Sequence, residues 1–164
     1  MATLIGNLIW SPIAAEQDAE ITCDGLGTAI HDGGMCATAR DLARFGAMLL
    51  TRGTVAGHRV VPDSWLRDSW AATADSRAAF ARSVSGPYLP GGWYRNKFWF
   101  LPRENSDVLL CLGIYGQMLS VNPTTGAVAA KLSSWPHAQS PEMLHDTLRA
   151  FDVIGAAWSG PPAE

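Results

Sequence analysis

The stretch VLLCLGIYGQMLSVNPTTGAVAAKL, residues 108–132, decides the fold. From Val108 to Ala130 it carries no charged residue, which is the length and character of a membrane span. Gly113, Gly116, Gln117 and the cluster Asn122-Pro123-Thr124-Thr125-Gly126 break it, so it reads instead as strands joined by turns. Its spacing predicts strands over 108–115, 118–121 and 128–132, with Gly116-Gln117 as a two-residue hairpin turn. Adding 93–100, rich in aromatic residues, gives a four-stranded antiparallel meander.

Downstream, Ser140 is a cap and Pro141 occupies the first helical position, where a missing amide costs least. Leu144, Leu148, Phe151 and Ile154 form an apolar stripe expected to lie on one face of the meander. Upstream, Thr38 caps a helix running to Thr51, with Asp41 completing a capping-box-like pair and Gly53 stopping it. Leu42, Phe45 and Leu49 form its stripe, with Ala39, Gly46 and Leu50 alongside. A second helix carries Trp65, Leu66, Ser69 and Trp70, and a third covers 74–82. Residues 2–10 read as a short apolar helix ending before Ser11-Pro12. Short strands are expected over 18–23 and 28–31, and Asp32-Gly33-Gly34 then turns the chain. The fold class is α+β: an antiparallel sheet covered by a C-terminal helix, with helices preceding it.

With 164 residues and 48% hydrophobic content, the chain can bury a core without disulfide staples. Twelve basic against fifteen acidic residues, with no basic cluster, exclude a phosphate-tracking nucleic-acid binder. Three widely spaced cysteines, Cys23, Cys36 and Cys111, are an odd number; they are expected as buried free thiols in a reducing, cytoplasmic setting. The N-terminal residues lack the basic segment of a secretory signal, and no transmembrane helix is expected.

Metal ligands do not converge. The four histidines lack a His-x3-His spacing, no Cys-x2-Cys occurs, and His31 with Cys36 is the nearest pair, so no metal or cofactor is expected. Gly33-Gly34 lacks the spacing of a phosphate cradle. A serine nucleophile needs a base beside it, and neither Lys97 nor Lys131 has a serine three residues before it. No base stands at a suggestive spacing from Ser120 or Cys36 either. Tyr94-Arg95-Asn96 matches a Tyr-x-Asn pattern, but within a run of bulky strand residues, and is read as structural.

The segment Gly33-Gly34-Met35-Cys36-Ala37-Thr38-Ala39-Arg40-Asp41-Leu42-Ala43-Arg44-Phe45-Gly46, followed by Gly53, Gly57 and Val60-Val61-Pro62, resembles the β-lactamase-related, penicillin-binding-protein-like serine hydrolases. That group includes class C β-lactamases, esterases and 6-aminohexanoate-dimer (nylon-oligomer) hydrolases. The subgroup most resembled is the last. Ala14-Ala15-Glu16-Gln17-Asp18-Ala19 is similar to its segment before this helix, and Gly113-Ile114-Tyr115-Gly116-Gln117 to its Gly-Ile-His-Gly-Gln strand.

The resemblance implies a partial β-lactamase/DD-peptidase-like fold. Residues 1–164 then form the C-terminal part of that domain: a helical and loop section over 1–92, then strands with a covering helix over 93–158. It implies that the Ser-x-x-Lys nucleophile precedes the matched region, so this chain would be a fragment inactive alone. It assigns the Ile114 backbone amide to the oxyanion hole, with Ile114, Tyr115 and Trp99 toward substrate; Tyr115 departs from the usual His. The implied partner is a small amide or ester substrate of the full-length parent, with a homodimer as a further option, and neither nucleic acid nor membrane. The alternative is a non-catalytic binding or scaffold module retaining part of the fold.

Overall fold

The computed structural model describes residues 2–30, 33–104 and 107–157. Its main sheet is a five-stranded antiparallel meander in simple sequence order. The strands are β5 (Trp93–Arg95), β6 (Phe98–Pro102), β7 (Asp107–Leu112), β8 (Met118–Asn122) and β9 (Ala127–Lys131). Two small ribbons pair β1 (Glu20–Ile21) with β2 (Met35–Cys36) and β3 (Thr54–Val55) with β4 (His58–Arg59).

Register divides the side chains between two faces. Val121 stands opposite Leu109, and Leu109 opposite Phe100, which in turn pairs with Trp93. On this face lie α2 (Ala39–Leu50) and α3 (Asp63–Trp70). Trp93 and Phe100 stack at 4.8 Å, while Trp70 and Trp65 of α3 meet Phe100 and Phe98 edge-on. Helix α2 crosses the sheet at Gly46, where an added methyl would come within 2.5 Å of Val128 and 3.0 Å of Leu119. Glycine is tolerated mid-helix there because it lets the backbone approach the strands. The other face, with Trp99, Leu112 and Met118, borders a cavity shared with Leu144 of α5 (Pro141–Ala157).

The helices follow their expected signals. Thr38 caps α2 by accepting from the Asp41 amide at 3.1 Å. Asp41 does not close the box back onto Thr38's own amide; its carboxylate accepts from the amides of Glu16 (2.7 Å) and Gln17 (3.3 Å). The reciprocal box occurs instead at α4 (Ala74–Ala81), between Thr73 and Ser76. The N-terminal segment begins as α1 (Ala2–Ile5) and widens into a π-type turn over Gly6–Trp10, closed by Ser11 donating to Gly6.

Several expectations need correction. The strand over 93–100 is a hairpin, because Asn96 and Lys97 take left-handed backbone angles (φ 50° and 72°) and reverse the chain. The strand over 108–115 stops at Leu112, and a loop over 113–117 replaces the two-residue turn. Of the strand over 18–23 only Glu20–Ile21 remains, paired with Met35–Cys36, where the sequence suggests no strand. Over 28–30 there is an isolated bridge from Ala29 to Cys23; His31 and residue 158 lie outside the described residues. On α5, Leu148 is buried with Leu144 and Phe151 against the core, but Ile154 is exposed. Cys23, at an isolated bridge to Ala29, and Cys36, in the two-residue strand β2, are exposed rather than buried; Cys111 is half-buried. No described helix is long and apolar enough to cross a membrane.

Candidate active site

The loop between β7 and β8 is closed by Gly113 donating to the Gln117 carbonyl at 2.8 Å. Within it Ile114–Gly116 forms a single tight turn, with Tyr115 held at φ 56°, ψ 24°. A tyrosine in the left-handed region costs free energy and persists only where its surroundings fix it. Here the segment after β9 does so. The Tyr115 amide donates to the Ala138 carbonyl (2.9 Å), and the Trp135 amide donates to the Tyr115 carbonyl (3.1 Å).

Three more contacts complete the clamp. The Gln117 side chain donates to the Ser133 carbonyl at 2.6 Å and accepts from the Ser133 amide at 2.9 Å, reading that backbone as a strand would. Lys131 Nζ donates to the Gly116 carbonyl at 3.1 Å and stands 4.7 Å from the Trp135 ring centre. Burial pushes the Lys131 ammonium below the ordinary lysine range. Gly116 itself lies at φ +83°, and a methyl there would strike the Trp135 ring.

This clamp uses the amides of Gly113, Tyr115 and Gln117, whereas that of Ile114 donates to no protein acceptor among the described residues. The Ile114 residue is 61% exposed. It lines a 240 Å³ cavity with Tyr88, Trp99, Trp135 and Leu144. It also lines a larger, 940 Å³ groove on the α2 side with Ile5, Ile9, Leu42 and Phe45. A fixed amide at the junction of two recesses can stabilise negative charge developing on a bound carbonyl oxygen without reorganising.

The structure brings Ile114 and Trp99 together on both recesses. Tyr115 is half-exposed beside them but lines neither, its backbone serving the clamp. Tyr94, Arg95 and Asn96 have other partners: Tyr94 packs 4.8 Å from Trp99, Arg95 pairs with Asp68, and Asn96 donates to Asp68 (3.0 Å) and Ser69 (2.9 Å). Ser120 is buried in β8 with Leu110 and Ala129 across the ladder, so no base faces it there. Cys36 is exposed on β2. Among the described residues no three His, Cys, Asp or Glu side chains cluster as metal ligands would.

Sequence reasoning missed the clamp. Its only signals are a glutamine and a lysine inside an apolar run, and a tryptophan after the last strand. It also missed Asp41 as an anchor: the Glu16 amide and the Thr38 hydroxyl, more than Arg44, hold its carboxyl below the usual aspartate range.

A model of the Beta-lactamase family matches residues 6–153. The chain belongs to the beta-lactamase family. Within that family it is 36% identical over 157 residues to the 6-aminohexanoate-dimer hydrolase of Paenarthrobacter ureafaciens. That match covers 92% of this chain and 39% of the relative. Among solved beta-lactamase-like structures it resembles the "Putative 6-aminohexanoate-dimer hydrolase from Bacillus anthracis". The TM-score is 0.75 at 27% identity, covering 92% of this chain and 37% of that one. The chain thus spans less than two fifths of the length of either protein.

Proposed function

We propose that this chain forms the oxyanion-stabilising and acyl-binding part of a serine hydrolase acting on amide or ester bonds, of the 6-aminohexanoate-dimer hydrolase type. The nucleophile and its base stand outside these 164 residues, and the chain alone turns over no acyl substrate. The reading rests on one observation: an Ile114 amide held in a clamped loop and left without a protein acceptor among the described residues. Such a donor is worth roughly a hundred- to a thousand-fold in rate once an acyl group is attacked, but it cannot begin the attack. Family membership supports the chemistry, and the share of the relatives covered supports the division of labour. Three free cysteines favour a reducing, cytoplasmic setting.

The test is to incubate the purified chain with a nitrophenyl ester and a fluorophosphonate probe. Neither turnover nor serine labelling is expected. A labelled serine accompanied by steady turnover would overturn the reading. A second arm reads the coding frame upstream of Met1, where Ser-x-x-Lys codons are expected.

A further inference from the structure

A second recess, of 260 Å³, opens where the C-terminal end of α2, helix α3 and the β8–β9 turn meet. Strand β8, about 17 Å long, separates it from the loop over 113–117. Leu50, Leu66, the Trp70 ring and Pro123 form its apolar walls, and Arg52, Asp63 and Arg67 are its charged groups.

The charges here do not cancel. Arg67 and Asp63 pair across one turn of α3, so each neutralises the other. Arg52, with an exposed side chain, makes no ion pair among the described residues. Its backbone is fixed: its amide donates to the Leu49 carbonyl at 3.1 Å, and the next amide, of Gly53, to that of Met48 at 2.7 Å. The Arg59 guanidinium donates to the Arg52 carbonyl and brings a further cation to the same corner. This corner is therefore positive in a chain whose net charge is −3. The Trp70 indole N–H is buried without an acceptor among the described residues, so a donor stands in the wall as well. Asp63 Oδ1 also lacks a partner there, but the charge of its carboxylate is balanced by Arg67.

We propose that this recess is a binding site for a small monocarboxylate with an apolar body the size of a benzene ring. The carboxylate pairs with Arg52, and the body rests against Leu66 and Trp70. An apolar cavity of about 150 Å³ holds benzene, so 260 Å³ takes a ring with one carboxylate attached. Burial of the ring supplies attraction, and a guanidinium offers a carboxylate two parallel hydrogen bonds. A neutral ligand of the same shape forgoes the charge, and a cation is repelled by Arg52 and Arg59.

Benzoate, benzamide and benzamidine share one shape and differ in charge. Each is titrated at pH 7 into the isotope-labelled 164-residue chain, and the shifts of the Trp70 indole N–H and the Leu49 and Leu50 amides give the affinity. Benzoate should saturate at roughly millimolar affinity. Benzamide should bind about fivefold more weakly or worse, and benzamidine more weakly still. High salt should weaken benzoate and leave benzamide unchanged. Arg52→Gln should bring benzoate down to the level of benzamide, while Arg52→Lys keeps part of the difference. The Arg52 side chain has no ion pair to lose, so the thermal melt of Arg52→Gln should match that of the unsubstituted chain. Arg82→Gln, at the exposed C-terminal end of α4, should leave all three affinities alone. Equal affinity for the three probes, undiminished benzoate binding by Arg52→Gln, shifts centred on Ile114 and Trp135, or no saturation at all would each overturn the proposal. A serine labelled by a fluorophosphonate would overturn the hydrolase reading instead and leave this site standing.

Discussion

Replacing Gly116 by alanine tests whether Trp135 braces the loop over 113–117. Two costs add. At φ +83° an L-residue takes a left-handed conformation, at about 1–2 kcal/mol. The new methyl would also lie 2.7 Å from the Trp135 indole nitrogen and closer to its ring carbons, an overpacking worth about 1–3 kcal/mol. The sum, about 2–5 kcal/mol, corresponds to a fall in Tm of roughly 4–20 °C for a chain of this size. Gly126 is the control: its φ is +65° and nothing lies within 4 Å of an added methyl. Gly126→Ala should therefore show the conformational cost alone. Urea unfolding followed by far-UV circular dichroism measures both, and removing the ring with Trp135→Ala should bring the cost of Gly116→Ala down to that of the control. If Gly116→Ala and Gly126→Ala agree within about 0.5 kcal/mol, the bracing argument is wrong.

Gly46→Ala trades a helix-propensity gain of about 1 kcal/mol against crowding of Val128 and Leu119 worth about 1–3 kcal/mol, so its melt should fall by about 0–8 °C. A rise in Tm would mean that α2 sits further from the sheet. Asp41 has a folded-state pKa below its unfolded value, so its stabilisation is present above the unfolded pKa and is lost as pH falls through the folded one. Asp41→Asn should therefore flatten the acid limb of the stability curve below about pH 4, read by urea midpoints at several pH values. Thiol counting should find two fast sites and one slow: Cys23 and Cys36 are exposed, whereas burial pushes the Cys111 thiol up to about 12. Three equal rates with a neutral maleimide would contradict the placement of Cys111 in β7.

Where local chemistry dominated, the fold was legible. Thr38 before an apolar stripe, Pro141 after Ser140, and the Pro123–Gly126 turn between two strands each act within a few residues, and each does what its side chains favour. The hairpin at Asn96-Lys97 was hidden because it lacks the glycine that marks such turns and is flanked mostly by aromatic strand residues. The loop over 113–117 was misread for the opposite reason. Ile114 and Tyr115 are good strand residues, and hydrogen bonds to residues 133–138 override that preference. At the site, Ile114 and Trp99 could be nominated by resemblance, but the clamp that commits the neighbouring amides is tertiary and leaves no spacing to find. The exposed cysteines show the same limit, since small and apolar sequence neighbours do not guarantee cover in a two-residue strand or at an isolated bridge.

The pairing of Gln117 with Ser133 joins residues sixteen apart, and the other bonds that shape the loop reach no further than Ala138. The donor at Ile114 is therefore inherited from a compact stretch of chain rather than negotiated with distant helices. Changes elsewhere in the chain that spare residues 113–138 would leave this corner geometrically intact.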